Sequence, residues 1–256
     1  MTPNVHLANV VELSLWVGQL LMQFSAESEV VESSVHRLGT ALGADWMDVT
    51  LTSNGIIVSA SAHGEFRTRS RCVIDKGVDM AKILTIDSLI TEVHEKHLTI
   101  SETKHRIIQI SKQGSCYPEW VKPIMVGAAC GAFCRMFGAD VFTSLLTVLA
   151  TTVAMFIRHY FLKRHYNLLL VVVITAFSAS VILSVARKLP LDFDLALAQS
   201  AAVLCLVPGV PLINAVTDLI KGHVTIGLAK GVKATMITIA IAVGLMISFA
   251  FAGLGG

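Results

Sequence analysis

Apolar residues crowd into the second half of the chain. Four stretches there contain no Asp, Glu, Lys or Arg: 141–157, 168–186, 195–213 and 234–254. A fifth, 121–137, carries Lys122 and Arg135 near its two ends, where long side chains reach toward an interface. A helix needs ~20 residues at ~1.5 Å rise to cross ~30 Å of hydrocarbon. None of the five has the polar face that a helix in water shows. The pattern therefore predicts five transmembrane helices over 117–256 rather than five buried core helices.

The first 116 residues read differently, as a small α/β domain. An apolar-rich helix is expected over 5–24. Ser25-Ala-Glu-Ser28-Glu-Val has the look of a helix start, with acidic residues favourable in a first turn. Val31, Val35, Leu38 and Leu42 follow at helical spacing, and Gly43 is a stop. Residues 48–52 and 56–60 are strand-like and flank the turn Ser53-Asn54-Gly55. His63-Gly64 turns into 66–72, where Arg67, Arg69 and Arg71 share one strand face. Helices are expected over 78–94 and over 101–110, the second N-capped by Ser101. The linker 113–118 leads into the apolar half.

Composition sharpens the division. Of 256 residues, 54% are hydrophobic and 15% charged, against roughly 25% charged for an ordinary soluble domain; mean hydropathy is +0.69. This excludes a disordered chain and a disulfide-rich secreted scaffold. Residues 1–120 hold 14 of the 18 acidic groups but only 10 of the 20 Lys and Arg. Basic residues of the second half stand singly between apolar runs, without interleaved aromatics, so no nucleic-acid partner is expected. Connections on one side carry Lys112, Lys122, Arg158, Lys163, Arg164, Lys221, Lys230 and Lys233. The other side has Arg135, Arg187 and Lys188. The richer side should be cytoplasmic, which puts the N-terminal domain in the cytoplasm and the C-terminus in the periplasm. No signal peptide is read at the N-terminus, since 6–24 contains Glu12 and no basic region precedes it. Cys72 and Cys116 then face a reducing compartment, and Cys130, Cys134 and Cys205 lie in apolar runs, so no disulfide framework is expected.

The most informative stretch is 206–223. Pro208 lacks an N–H and clashes with the preceding turn; Gly209 is permissive, and Pro211 repeats the break. A helix broken at Pro208-Gly209 frees backbone groups that protein, water or substrate must satisfy. The restarted half-helix would aim its positive N-terminal end at the break, which suits a carboxylate. Asn214, Asp218 and Lys221 then share one face. Asp218 is the only acidic group after Asp194, and an acid at membrane depth is a candidate proton carrier. The competing reading is an interfacial Asp218–Lys221 pair closing a kinked helix. Arg135 and Arg158 are candidates to attract an anion at either end of a path.

Other features carry less. Small residues recur every four positions: Gly127 and Gly131; Thr143, Thr147 and Thr151; Ala176, Ser180 and Ser184; Ala240, Gly244, Ser248 and Ala252. Such rows pack helices, within one chain or between copies in a homo-oligomer, or line a polar path. Cys130 and Cys134 lie four apart on one face, as helix packing requires. His94-Glu95-Lys96-His97 lacks the spacing of a helical zinc site. No nucleophile elbow, P-loop or dinucleotide fingerprint occurs. No enzyme activity, metal or cofactor is expected. The Arg67–Arg69–Arg71 row is either an anion site or the charged outer face of an edge strand.

At these residues the chain resembles the threonine/serine exporter family, and within it the separately encoded N-terminal half of a split exporter. Ser25-Ala-Glu-Ser-Glu-Val-Val-Glu32 matches the family's Gly-Ala-Glu-x-x-x-Val-Glu pattern, with Ser25 in place of Gly. Leu42-Gly43, Ser53-Asn54-Gly55 and Tyr117-Pro118-x-Trp120 also fit. The strongest match is Pro208-Gly-x-Pro-Leu-x-Asn-Ala-x-x-Asp218, continuing through Gly222 to Gly227-Leu-Ala229. The resemblance covers nearly the whole chain. It implies a multi-pass subunit of the bacterial inner membrane that exports small carboxylates, with protons as coupling ion. Family members of full length have about ten spans, so the resemblance also implies a YjjB-like membrane partner. Split exporters of this type imply a C4-dicarboxylate such as succinate. Threonine or serine export, and a non-transporting membrane-anchored sensor or assembly protein, are the alternatives.

Overall fold

The computed structural model describes residues 3–114, 117–187 and 193–253. Cys116, Lys188, Asp192, Leu254 and the side chain of Ala252, which the sequence reading invokes, lie outside that description. The elements run α1 (Pro3–Gln23), α2 (Ser28–Ala41), β1 (Trp46–Thr52), β2 (Gly55–Ala62), β3 (Glu65–Cys72), α3 (Met80–Lys96), α4 (Ile100–Lys112) and α5 (Val121–Met136). They continue with α6 (Val141–Lys163), α7 (Leu168–Ala186), α8 (Leu195–Leu204), α9 (Gly209–Ile220) and α10 (Val224–Gly253). Two compact units result: Met1–Gly114 with Val210–Val232, and Ser115–Gly209 with Lys233–Gly256.

In the first unit α1 is the central rod. It is apolar nearly all round, and Leu7, Val10, Val11, Leu15, Val17 and Leu21 are all buried, as a helix without a polar face requires. An antiparallel meander, β1-β2-β3, supplies one wall. Its buried face is Ile56, Val58, Ala60 and Ala62 on the middle strand. The β2–β3 turn pairs Ala62 with Glu65, and both intervening residues, His63 and Gly64, have positive φ, matching the twist of a tight hairpin. On α2 the predicted stripe Val31, Val35, Leu38 and Leu42 is buried. Gly43 (φ +98) ends that helix, and Ala44 N–H closes onto the Gly39 carbonyl at 3.0 Å, the usual geometry of a glycine stop.

One helix cap differs from the sequence reading, while the start of α2 falls inside the expected stretch. α4 begins at Ile100 with Thr99 as its cap rather than Ser101. Thr99 and Glu102 form a reciprocal capping box, which needs an acid three residues after the cap; the residue three after Ser101 is Lys104. α2 begins at Ser28, and Glu27 before it makes no side-chain cap. The β3 row also resolves. Arg69 and Arg71 lie 3.5 and 3.6 Å from the Glu12 carboxylate, and Arg71 also donates to Gln19 at 3.2 Å, on an edge strand of the sheet.

The second unit is a helical bundle held by its small residues. A side chain on Gly127 would place its Cβ 2.9 Å from the Val148 carbonyl of α6, and one on Gly244 would lie 2.6 Å from the Val173 carbonyl of α7. Thr143, Thr147, Ala176, Ser180 and Ser248 are all buried on the same faces. Their hydroxyls do not stand free: Thr147 donates to the Thr143 carbonyl at 2.9 Å, and Ser248 to Ser180 Oγ at 2.8 Å. Outward faces are apolar instead, with Leu145, Leu149, Val153 and Phe156 exposed along α6.

Among the described residues three helices are long and apolar enough to cross a membrane: α6, α7 and α10. The pair α8 and α9 qualifies only if read as one interrupted span, which makes four. α5 has 16 residues, about 24 Å of helix. The interruption falls at 205–208, as the prolines predict. α10 starts ten residues ahead of its apolar run, so Lys230 and Lys233 lie within the helix.

Gly244→Val should separate α7 from α10, because a branched side chain cannot occupy 2.6 Å beside a carbonyl. Thermal unfolding of the detergent-solubilised variant should show a clearly lowered midpoint. An unchanged midpoint would refute this packing.

Candidate functional site

The two motifs that are farthest apart in sequence meet inside the first unit. Asp218 projects from α9 and has no solvent exposure. Its carboxylate accepts the Ser28 backbone N–H at 3.1 Å and the Lys230 ammonium at 2.7 Å. Lys230 Nζ also donates to the Ala26 carbonyl at 3.2 Å. One turn earlier on α9, Asn214 Nδ2 donates to the Ser25 carbonyl at 2.8 Å. At the far end Lys221 bridges Glu27 and Glu29, and His223 Nδ1 lies 3.5 Å from Glu32.

Local sequence explains each placement. α2 lacks a side-chain cap, so its first N–H groups need an acceptor, and Asp218 supplies one from 190 residues away. The carboxylate also sits at the positive end of the α2 dipole. Gly222 (φ +90) ends α9, with His223 N–H returning to the Asp218 carbonyl at 2.8 Å. α10 then doubles back. Gly227 lets it do so closely: a Cβ there would lie 2.8 Å from the Ala215 carbonyl. That approach brings Lys230, twelve residues on, against Asp218. Ser25 has φ +60, a left-handed conformation that costs an L-residue roughly 1 kcal/mol, which accounts physically for glycine as the family's residue there.

The interfacial Asp218–Lys221 pair is therefore replaced by two separate contacts: Asp218 pairs with Lys230, and Lys221 turns to the acids flanking the start of α2. Bonding to Glu27 and Glu29 pushes Lys221 up to about 12. The Lys221 ammonium in turn holds Glu29 below the usual carboxylate range. Burial raises Glu32, and the nearby His223 opposes that shift.

The other predicted site residues are distributed as follows. Pro211, Asn214 and Asp218 belong to the first unit. Pro208, Gly209, Arg135 and Arg158 belong to the second. Pro208 is buried and precedes the first residue of α9, and Pro211 lies in its first turn. Arg135 Nη1 donates to the Ala139 carbonyl at 2.6 Å, closing the end of its own helix. Arg158 is different: its Nε is buried without a hydrogen-bond partner among the described residues. Arg158 lies within electrostatic reach of Cys205, the residue at which α8 ends, and Cys205 meets Cys130. The second unit thus brings Arg158 to the helix interruption, while Arg135 is engaged elsewhere. No group of three or more metal-ligating side chains occurs among the described residues.

Sequence reasoning missed Lys230, Ser28, Glu27, Glu29, Glu32 and His223 as members of one cluster. A signal was present: the first motif is acidic and the segment after the second is basic. It also missed Gln199, whose amide donates to Ser180 Oγ at 2.9 Å and Ser184 Oγ at 3.1 Å. A lone glutamine in an apolar run was the available cue.

Removing Lys230 leaves Asp218 buried with one donor. Lys230→Met should cost roughly 3 kcal/mol, since breaking a buried pair leaves an uncompensated charge. Asp218→Asn should cost less, because the amide oxygen still accepts from Ser28. Chemical unfolding of both variants checks the order, and a smaller loss for Lys230→Met would contradict the pairing. The Lys221 bridge carries a pH signature. Its lysine contribution is complete below the ordinary 10.5 and fades as pH rises toward about 12. Its Glu29 contribution is complete above the ordinary 4.5 and fades as pH falls below it. The gap in unfolding midpoint between the parent and Lys221→Met should be widest between these limits and shrink on either side. A gap independent of pH would contradict the bridge.

Comparison with known proteins places these motifs in one lineage. The chain is 34% identical over 248 residues, 96% of each chain, to the Escherichia coli K12 protein named "Probable succinate transporter subunit YjjP". A protein of the same name from Klebsiella aerogenes is 34% identical over 248 residues, covering 96% of this chain and 95% of its own. An "Uncharacterized protein" of Haemophilus influenzae is 30% identical over 131 residues, 51% of this chain and 43% of its own. No solved structure matches. The family model ThrE, described as "Putative threonine/serine exporter", matches residues 12–252, a range that takes in both halves of the Asp218 junction. The chain belongs to the threonine/serine exporter family.

Proposed function

We propose that this chain is one subunit of an inner-membrane exporter of small carboxylates, with a C4-dicarboxylate such as succinate as substrate and a second, YjjB-like membrane subunit as partner. Family membership and the names carried by the two full-length relatives support an exporter subunit. The observation that carries the substrate class is Arg158. A guanidinium whose Nε is buried and unpartnered, beside the interruption in an apolar helix pair, calls for an anion. A carboxylate arriving at the interruption would meet Arg158 beside Pro208 and Gly209, where proline's missing N–H breaks the helix.

Asp218 is the proposed proton-binding group. Its partners are the N-terminus of α2 and Lys230, so protonation would weaken both contacts together and loosen α9 from α2. Asn214, bonded to Ser25, is proposed to set the register of that contact and, when it opens, to orient a carboxylate. Five spans, a cytoplasmic N-terminal domain and a periplasmic C-terminus complete the reading. It rests on the apolar runs and on the excess of Lys and Arg on one side.

The test is efflux of labelled succinate, threonine and serine from cells expressing this chain, its partner, or both. Succinate should leave only when both are present. Arg158→Gln and Asp218→Asn should each reduce efflux at least tenfold at unchanged protein level. Export of threonine or serine in place of succinate would overturn the substrate. Full activity in Arg158→Gln would overturn the site.

A further inference from the structure

The first unit contains a cleft of about 570 Å³ between α1, the end of α2 and the α3–α4 connection. We propose that it binds a small organic carboxylate with an apolar body, at a place separate from the Arg158 and Asp218 sites. The floor is apolar: Leu13, Trp16, Leu42 and Leu98 line it, and Leu13 and Leu42 are buried. Its rim carries one ammonium, Lys104, beside the imidazole of His97. Among the described residues Lys104 has no ion-pair partner.

The single acid at the cleft, Glu12, lies 3.5 Å from Arg69 and 3.6 Å from Arg71. Its charge is therefore compensated from behind, and the cleft offers nothing to neutralise an organic cation. An anion finds the Lys104 ammonium, while the N-terminal end of α4 beside it is already occupied by the Glu102 carboxylate of the capping box. The volume lies within the range of small-molecule sites, ~300–1,000 Å³, and exceeds what a bare inorganic anion fills. Trp16 gives a flat apolar surface for an aromatic or branched body. A C4-dicarboxylate fits poorly, because its second charge would lie against leucine and tryptophan without a partner. The ligand class thus differs from the proposed substrate, which makes the cleft a sensing site on an exporter subunit.

Trp16 reports occupancy. The full chain, carrying Trp46→Phe and Trp120→Phe so that Trp16 is its sole tryptophan, is reconstituted in lipid nanodiscs and titrated with phenylacetate, phenethylamine and succinate. Phenylacetate should shift Trp16 emission saturably, phenethylamine and succinate should not, and Lys104→Gln should weaken the phenylacetate midpoint by about tenfold. Lys104 is exposed, so that substitution leaves the fold intact. An equal response to phenethylamine or succinate, a midpoint unchanged in Lys104→Gln, or no saturable shift would overturn the proposal. None of these readouts depends on transport.

Discussion

A carboxylate with no exposed surface must be compensated or it unfolds its surroundings. Burying an ion carries a penalty of several kcal/mol even after relaxation. Asp218 meets that demand with a helix N-terminus and an ammonium at once. Neither is near it in sequence: Ser28 belongs to the first turn of α2, and Lys230 lies beyond a glycine turn. The requirement therefore fixes three segments together, the start of α2, the body of α9 and the opening turns of α10. Asn214, Lys221 and His223 extend the same contact along one side of α9 and beyond its end, matched to Ser25, Glu27, Glu29 and Glu32. The acidic surplus of the first 120 residues and the basic surplus of the remainder acquire a structural meaning here.

The second unit obeys a different constraint. Its outward faces are apolar, and the hydrophobic effect cannot hold one helix to another where the surroundings are equally apolar. Close approach does it instead, through Gly127, Gly244 and buried threonines and serines whose hydroxyls return to backbone or to one another. Two buried polar atoms of this unit have no hydrogen-bond partner among the described residues, Thr151 Oγ1 and Arg158 Nε, and of these only Arg158 is cationic. The contrast between a fully compensated acid in one unit and an incompletely compensated base in the other is the physical basis for assigning them proton and carboxylate roles.

Much of this was legible in the amino-acid order, for reasons specific to each element. The α2 stripe, the sheet turns and the interruption at 205–208 follow from local rules that need no distant partner: helical periodicity, positive-φ hairpin residues and proline's missing N–H. The cap of α4 was misplaced by two residues because both Thr99 and Ser101 are acceptable caps, and only the reciprocal acid at Glu102 decides. Asp218 is conspicuous in sequence as the only acid after Asp194, and the competing reading pairs it with Lys221, the nearest base along the helix. The true partner depends on how tightly α10 folds back at Gly227, a tertiary fact with no local cue. Arg135 and Arg158 looked equivalent as isolated cations. What distinguishes them is a free carbonyl at Ala139 within reach of one and its absence around the Nε of the other.

The central claim is that the acidic entry to α2 lies against the end of α9. It is tested most directly by cysteine pairing at Glu27 and Lys221, whose side chains form an ion pair here, while Asp218 and Lys230 are left in place. In native membranes, with the five natural cysteines replaced by serine or alanine, mild oxidation of Glu27→Cys/Lys221→Cys should crosslink the pair in nearly every molecule. A control pairing of Glu27→Cys with Lys96→Cys, at opposite ends of the α2–α3 pair, should remain reduced. Failure of the 27–221 pair to crosslink, with both thiols accessible to a maleimide, would contradict the account.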